Sequence, residues 1–211
     1  MNKRAAFFFL TLLSLALTVA HPLRAAPAVP DERDGRVLDA LLVHLLSDPR
    51  FVFSGVSTSQ STILLHASTP ESVGDLQPET MRINIVGDYT LPDDALLDLR
   101  RRNPPRKASP GDTNAPVAAY FTNLTFSPGI IVTNLSSDLR TDRRSIVEMQ
   151  FAYPKARGWV EANLPGYSND GSSAVVNAYI GPSAHGASLI AFLKKSGDKW
   201  TVKWVHFNFY V

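Results

Sequence analysis

The chain has 211 residues, of which 45% are hydrophobic and 19% are charged, and it contains no cysteine. This length and this composition exclude a wholly disordered chain, a collagen-like repeat and a coiled coil. The missing cysteine excludes disulfide bonds, cysteine-ligated zinc, iron–sulfur clusters, a thiol nucleophile and a lipid-bearing cysteine.

The N-terminus has the pattern of an export signal. Lys3 and Arg4 precede an uncharged, mostly apolar run over residues 5–20. A basic start followed by a short apolar segment is typical of a secretory signal peptide, whereas a membrane-spanning helix needs about 20 apolar residues. We predict a signal peptide over residues 1–28, with cleavage after Ala20 or Ala28, and export to the periplasm or the medium. An uncleaved N-terminal anchor is the alternative.

Removal of this segment changes the charge of the chain. It takes away three of the 21 basic residues and none of the 19 acidic residues, so the formal net charge falls from +2 to −1. A nearly neutral chain gives no reason to expect nucleic-acid binding. The sequence also lacks the glycine-rich GxGxxG and GxxxxGK[ST] phosphate-binding motifs. We predict no nucleic-acid partner, and no transmembrane segment after signal cleavage.

Three segments have helical patterns. Residues 31–46 begin with acidic side chains, repeat apolar residues at spacings of three and four, and end before Asp48. Residues 91–103 have a proline at the entry, acids in the first turn and arginines in the last turn, which complements the helix dipole. Residues 142–153 predict a third, shorter helix with Asp142 as its cap.

Several short runs predict strands, and the clearest three lie at the C-terminus. The runs at 174–180, 187–195 and 199–211 are separated by turns that contain glycine, so they predict a three-stranded meander. In the last run Trp200, Val202 and Trp204 are expected on one face, and the strand is expected to be covered on both faces or to line a groove. Shorter strands are predicted at 51–53, 62–67, 81–86, 120–126 and 130–135.

These elements predict an α+β fold. We expect a single domain over residues 29–211, in which an antiparallel sheet with the C-terminal meander at its centre packs against two or three helices. Residues 103–116 are rich in proline, glycine, serine and asparagine, and we predict that they form an exposed loop within this domain. About 180 residues bury roughly 70% of the surface of the unfolded chain, so the domain needs no covalent staple.

The second half of the chain carries a pattern of aromatic, proline and glycine residues. The pattern consists of Tyr153-Pro154, Gly158, Gly166-Tyr167-Ser168 and, near the end, Gly197, Trp200 and Val202. Through it, residues 90–204 resemble an uncharacterised family of bacterial exported and lipoprotein-like proteins, whose domain of unknown function ends in a Gly-x-Trp-x-Val meander. The final meander is also similar to that of nuclear-transport-factor-like cone folds. The resemblance implies the fold and export, and it implies no activity.

The residues that could act in catalysis form no recognisable motif. Neither GxSxG nor HExxH is present. Glu148 and Glu161 flank the Tyr-Pro segment, but their spacing does not show whether they meet. Four histidines remain after cleavage, without metal-ligand spacing: His44, His66, His185 and His206. We predict no catalytic residue, no metal ligand and no cofactor. The alternative is a small exported enzyme with a cone-like pocket, in which His66 or His206 acts with an acid.

Two groups of residues are candidates for binding. The second helix ends in three arginines, which predict binding to an anionic envelope polymer or to lipid headgroups. The alternative is that these arginines only stabilise the C-terminus of the helix through its dipole. The aromatic residues of the last strand suit a sugar or a peptide if they line a groove rather than the core. The candidate binding residues are Arg100, Arg101, Arg102, Trp204, Phe207 and Tyr210. We therefore predict an exported, non-catalytic protein that binds an unknown protein or envelope ligand.

Overall fold

The structure, a computed structural model, describes residues 28–51, 61–70, 90–104, 119–135, 145–181 and 187–209. These residues form three helices and seven strands, which confirms the α+β fold. The helices are α1 (Glu32–Ser47), α2 (Asp93–Arg102) and α3 (Ser145–Ala152). The strands are β1 (Thr62–His66), β2 (Ile130–Thr133), β3 (Ala156–Ala162), β4 (Gly166–Tyr167), β5 (Ser173–Gly181), β6 (Ala187–Ser196) and β7 (Lys199–Phe209).

All seven strands belong to one mixed sheet. Its order is β2-β1-β3-β5-β6-β7, and β4 pairs with β5. The meander β5-β6-β7 is antiparallel, as predicted, but β1 runs parallel to both β2 and β3. Parallel neighbours require crossover connections, and the connection between β1 and β2 contains α2, while α3 lies between β2 and β3 in sequence. The expected antiparallel arrangement holds for the meander and for β3 with β5, whereas the sheet as a whole is mixed, and the meander lies at one end of the strand order rather than at its centre.

Helix α1 covers one face of the sheet. Asp31 and Asp34 form a capping box at its start, in which each side chain accepts a hydrogen bond from the other residue's backbone N–H. The apolar stripe of the helix packs into the main core, against inward-facing residues of the sheet such as Leu65, Val160 and Val205. This burial stabilises the helix, which would be marginal alone in water.

The other face of the sheet carries α2 and α3 at separate places. In α2, Ala95, Leu96 and Leu99 pack with Val175 and Phe192. Gly166 allows this helix to approach, because a Cβ at that position would lie 2.2 Å from the Ala95 carbonyl oxygen. The buried side of α3 packs elsewhere, with Met149 in a cluster that includes Leu64, Leu135 and Trp159.

A β-bulge changes the faces of the last strand. The register between β6 and β7 shifts next to Leu193, so that Phe192 is opposite Trp204 and Leu193 is opposite Val202. The extra residue reverses which side chains point to which face. Trp200 and Val202 therefore join the α1 side, whereas Trp204 packs on Phe192 at 5.9 Å between ring centroids. The prediction that Trp200, Val202 and Trp204 share one face is wrong.

The other predicted elements have mixed outcomes. Segment 120–126 is not a strand, since only Tyr120 forms an isolated bridge, with Ser68. The β6–β7 turn is present, and Gly197 has a φ of 58°. Two residues separate Gly197 from Trp200, whereas the Gly-x-Trp pattern of the family has one. The predicted strand 81–86, the cap Asp142, most of strand 51–53 and most of the loop 103–116 lie outside the described residues. In the described ranges, no helix has the length and apolar character that a membrane span requires.

Candidate functional site

A cleft of about 560 Å³ lies beside Tyr167. Its walls come from the start of α1, from the outer side of α2 and from the segment that follows β4. Small-molecule sites typically enclose about 300–1,000 Å³, so this cleft has a suitable size. The lining residues are Asp31, Arg33, Asp94, Leu97, Asp98, Arg101, Arg102, Tyr167, Ser168 and Asn169.

The buried carboxylate of Asp34 lies behind the cleft and joins its three walls. It receives a bidentate pair of hydrogen bonds from the Arg102 guanidinium, at 2.7 and 2.8 Å. The Tyr167 hydroxyl donates a third hydrogen bond, at 2.8 Å, and the Asp31 backbone N–H a fourth, at 3.0 Å. Arg102 also donates to the Pro165 carbonyl oxygen. These bonds fix α1, α2 and β4 to one another, because a bidentate arginine–carboxylate pair is both strong and directional.

Arg33 lies over the ring of Tyr167. The centre of its guanidinium is 3.5 Å from the ring centroid, and its Nη2 donates to the Gly171 carbonyl oxygen at 3.3 Å. Such a cation–π contact holds the guanidinium flat while its remaining N–H groups stay available at the rim. Arg33 is only partly buried, so a bound ligand has access to these donors.

Two carboxylates of α2 hold the segment after β4. Asp98 accepts the backbone N–H of Tyr167 at 2.9 Å, and Asp94 accepts that of Asn169 at 2.8 Å. Asp98 also accepts a hydrogen bond from Arg101, whose side chain is 76% exposed. Asp94, which belongs to the acidic first turn of α2, therefore has a positioning role besides its interaction with the helix dipole.

The turn at the edge of the cleft is held by Asp170. Hydrogen bonds from the Ser168 hydroxyl, and from the backbone N–H and hydroxyl of Ser172, lower the pKa of Asp170 to about 2. Gly171, at φ 68°, completes the turn in the left-handed region that favours glycine.

The protonation states of Tyr167 and Arg102 follow from their surroundings. Burial, together with the neighbouring Asp34 carboxylate, raises the pKa of Tyr167 far above its usual value, so its hydroxyl remains a donor. Burial opposes the charge on Arg102, but the hydrogen bonds and the charge of Asp34 outweigh this effect and raise the pKa of Arg102. Tyr167 therefore stays neutral and Arg102 stays charged over the physiological pH range.

The predicted arginines divide into two groups. Arg101 and Arg102 line the cleft, whereas the exposed Arg100 does not. Trp204 is part of the α2 cluster, and Phe207 packs beside the main core under the Arg50 guanidinium, at 4.9 Å. Neither aromatic residue lines the cleft, and Tyr210 lies outside the described residues.

Arg33 and Asp34 were not predicted as site residues, and Tyr167 was predicted only as part of the family pattern. The local sequence at the start of α1 does not indicate which residues Asp34 contacts, because Asp34 lies 68 residues from Arg102 and 133 from Tyr167 in sequence. The bidentate geometry becomes visible only after folding. A weak signal existed in Asp34 itself, an acid inside the first turn of an otherwise apolar helix face.

A second polar group lies on the α2–α3 face of the sheet. His66 Nδ1 lies 3.9 Å from Glu161 Oε1, and both side chains are at most 10% exposed. His66 also contacts the backbone of Ser68. Across the sheet, Glu161 is opposite Tyr179, and Tyr179 is opposite Ser188. The structure thus pairs one of the two predicted histidines with an acid, but this pair does not line the cleft beside Tyr167.

Of the other candidate residues for chemistry, His206 lies on β7 opposite Ile190, and the side chains of Glu148 and His185 lie outside the described residues. His44 Nε2 lies 3.7 Å from Asp48 at the end of α1, which is a structural contact. Within the described parts of the chain, no group of three or more histidine or acidic side chains could hold a metal ion. Comparison with protein families, with curated proteins and with solved structures gives no match.

Proposed function

We propose that the chain is an exported, non-catalytic binding protein whose ligand occupies the cleft beside Tyr167. Export rests on the signal-like N-terminus and on the resemblance to exported bacterial proteins. One observation carries the choice of site: the cleft has a rigid framework, in which Asp34 joins Arg102 and Tyr167, and partly exposed polar groups at its rim. Such prepared sites reduce the entropy that binding costs.

The charge pattern of the cleft favours a polyhydroxylated ligand, such as a short saccharide of the cell envelope. Three aspartates and three arginines line it, so an anion would meet repulsion as well as attraction. A sugar hydroxyl donates one hydrogen bond and accepts others. Neighbouring hydroxyls can therefore donate to Asp31 or Asp94 while they accept from Arg33 or Arg101.

Calorimetric titration with a panel of neutral oligosaccharides tests this proposal, with an oligophosphate and an unrelated polar peptide as comparison probes. We expect binding to an oligosaccharide, and a loss of about tenfold in affinity in Arg101→Ala, because a hydrogen bond to a charged group contributes about 1.5–3 kcal/mol. Arg100→Ala is the matched control, since Arg100 is adjacent and exposed but does not line the cleft. Binding of the oligophosphate alone, or equal losses in both variants, would contradict the proposal.

The second candidate function is the small exported enzyme, and the His66–Glu161 contact favours it. A buried carboxylate beside an imidazole is an arrangement that general bases use. In this case a substrate would bind on the α2–α3 face of the sheet, and Glu161→Gln would abolish turnover. Under the leading proposal, the same variant leaves oligosaccharide affinity unchanged.

A further inference from the structure

The hairpin of β6 and β7 carries a lysine cluster, which consists of Lys194, Lys195, Lys199 and Lys203. All four residues are exposed. Within the described parts of the chain, no acidic side chain forms an ion pair with any of them. The same stretch contains one acid, Asp198, so four lysines and one acid give residues 194–203 a formal charge of +3. The chain as a whole has a net charge of −1 after signal cleavage.

Protection of an open sheet edge explains only part of this cluster. Lysines on an edge strand discourage pairing with other chains, and β7 stands at the end of the strand order. Lys194 and Lys195, however, lie on β6, which pairs with β5 on one side and with β7 on the other. The position of the edge therefore does not account for the charges on β6.

The lysine cluster adjoins the cleft beside Tyr167. Arg33, which lines the cleft, donates a hydrogen bond to the Gly171 carbonyl oxygen. The carbonyl oxygen of the next residue, Ser172, accepts the backbone N–H of Lys195 at 2.8 Å. The rim of the cleft and the first residues of the lysine cluster are thus joined by one turn of the chain.

The distance from the cleft to the lysines is short. Ser168, which lines the cleft, donates its backbone N–H to Ser173, and Ser173 is opposite Lys194 on β6. Since neighbouring strands are about 4.8 Å apart, the backbone of Lys194 lies about 10 Å from that of Ser168. The lysine side chain is long and flexible, and the Debye length at physiological ionic strength is about 8 Å. The turn itself contributes one acid, Asp170, against the four lysines.

We propose that the ligand of the cleft is an acidic polysaccharide. Its uncharged, hydroxyl-rich units occupy the cleft, where three aspartates disfavour an anion. The ligand then continues over the turn at residues 168–172, and its anionic substituents, such as the carboxylates of uronic acid units, bind at the lysine cluster. This inference rests on the proposed saccharide binding at the cleft, and it adds the charge of the ligand and a second contact surface.

Calorimetric titration with a matched pair of oligosaccharides tests this inference. The probes are a neutral oligosaccharide that binds and the same oligosaccharide after oxidation of its primary hydroxyls to carboxylates. We expect the acidic form to bind about fivefold more tightly than the neutral form at low salt, because several exposed ion pairs of modest strength form. This difference in affinity should disappear at high salt, which screens exposed charges.

A pair of double variants locates the contact. In Lys195→Gln with Lys199→Gln, the acidic form should bind less than about twofold more tightly than the neutral form, because two of the four lysines are lost. The matched control is Arg100→Gln with Lys155→Gln, which removes the same charge from two exposed residues outside the cluster and outside the cleft lining. This control should keep the full difference in affinity.

The outcomes separate this inference from the proposal on which it rests. If the neutral oligosaccharide binds and the acidic form binds no more tightly, the inference is overturned and the cleft remains a saccharide site. Equal losses in the two double variants would also overturn it, since net charge alone would then explain the preference. So would tripolyphosphate that binds the cluster as tightly as the acidic oligosaccharide does, because the cleft would then contribute nothing. Failure of every oligosaccharide to bind would contradict the saccharide proposal itself.

Discussion

Asp34 determines how the residues around the cleft are held. Its carboxylate is fully buried and receives hydrogen bonds from Arg102, Tyr167 and the backbone of Asp31. A buried carboxylate is costly unless it is paired, and here the pairing also joins three elements of the fold. The cleft therefore depends on one acid that does not itself line it.

Asp34→Asn should destabilise the protein strongly. It removes the charge that compensates Arg102, whose side chain is only 12% exposed, and loss of one partner of a buried pair costs about 3–5 kcal/mol. Chemical denaturation measures this effect. The control is Arg101→Ala, which removes a largely exposed pair with Asp98 and should cost less than about 1 kcal/mol. Equal effects of the two variants would show that Asp34 is not the centre of the framework.

Asp170 gives a prediction about pH. Its folded pKa of about 2 lies below the ordinary value of 3.8, so its contribution to stability is present above about pH 4 and is lost as the pH falls through 2. Removal of the main cause, the Ser168 hydroxyl, in Ser168→Ala should raise the pKa of Asp170 towards 3.8. Carbon-13 NMR titration of the Asp170 carboxyl measures it. An unchanged pKa in this variant would contradict the assigned cause.

At the scale of elements, the position of α2 depends on Gly166. A Cβ there would lie 2.2 Å from the Ala95 carbonyl oxygen and 2.3 Å from the Leu99 backbone nitrogen, and neither backbone atom can move without the helix. Gly166→Ala should therefore cost about 3 kcal/mol, the upper end for overpacking, and should disturb the cleft. Gly197→Ala is the control, because its Cβ would meet nothing within 4 Å and only its φ of 58° is strained, at about 1–2 kcal/mol. Thermal unfolding of the two variants distinguishes these costs.

The sequence predicts the helices and the meander well, because their patterns are local. Helix α1 follows from its apolar spacing and capping acids, and β5 to β7 follow from alternating runs between glycine turns. The central strand β3 was not predicted, since Arg157, Gly158 and Glu161 interrupt its apolar pattern. Arg157 is buried there because it donates to carbonyl oxygens of Leu46 and Asp48 at the end of α1. The burial of Arg157 therefore depends on carbonyl groups at the end of α1, which is distant from β3 in sequence.

The candidate site was only partly predictable for the same reason. The basic end of α2 identified Arg101 and Arg102, but composition could not distinguish these from Arg100, which does not line the cleft. The aromatic residues of β7 were proposed for a groove, and the bulge instead places Trp204 in a cluster with Phe192. Bulges and long-range ion pairs arise from tertiary contacts, and no local pattern encodes them.

For the molecule as a whole, export is a prediction from the sequence that the mass of the recovered protein can test. Helix α1 begins at Glu32, so cleavage after Ala28 would leave its cap Asp31 in place. We expect the protein recovered from the periplasm or the medium to have the intact mass of residues 29–211 or 21–211. Mass spectrometry of the fractionated cells measures this. A full-length mass confined to the membrane fraction would instead support the uncleaved anchor.

NMR can show whether the cleft beside Tyr167 binds a polyhydroxylated ligand. Backbone amide spectra of the isotope-labelled protein would be recorded during titration with the oligosaccharide panel. We expect shifts confined to the cleft, at Arg33, Arg101, Ser168 and Asn169, and their loss in Arg101→Ala but not in Arg100→Ala. Shifts centred on His66 and Glu161, or no shifts with any member of the panel, would contradict it.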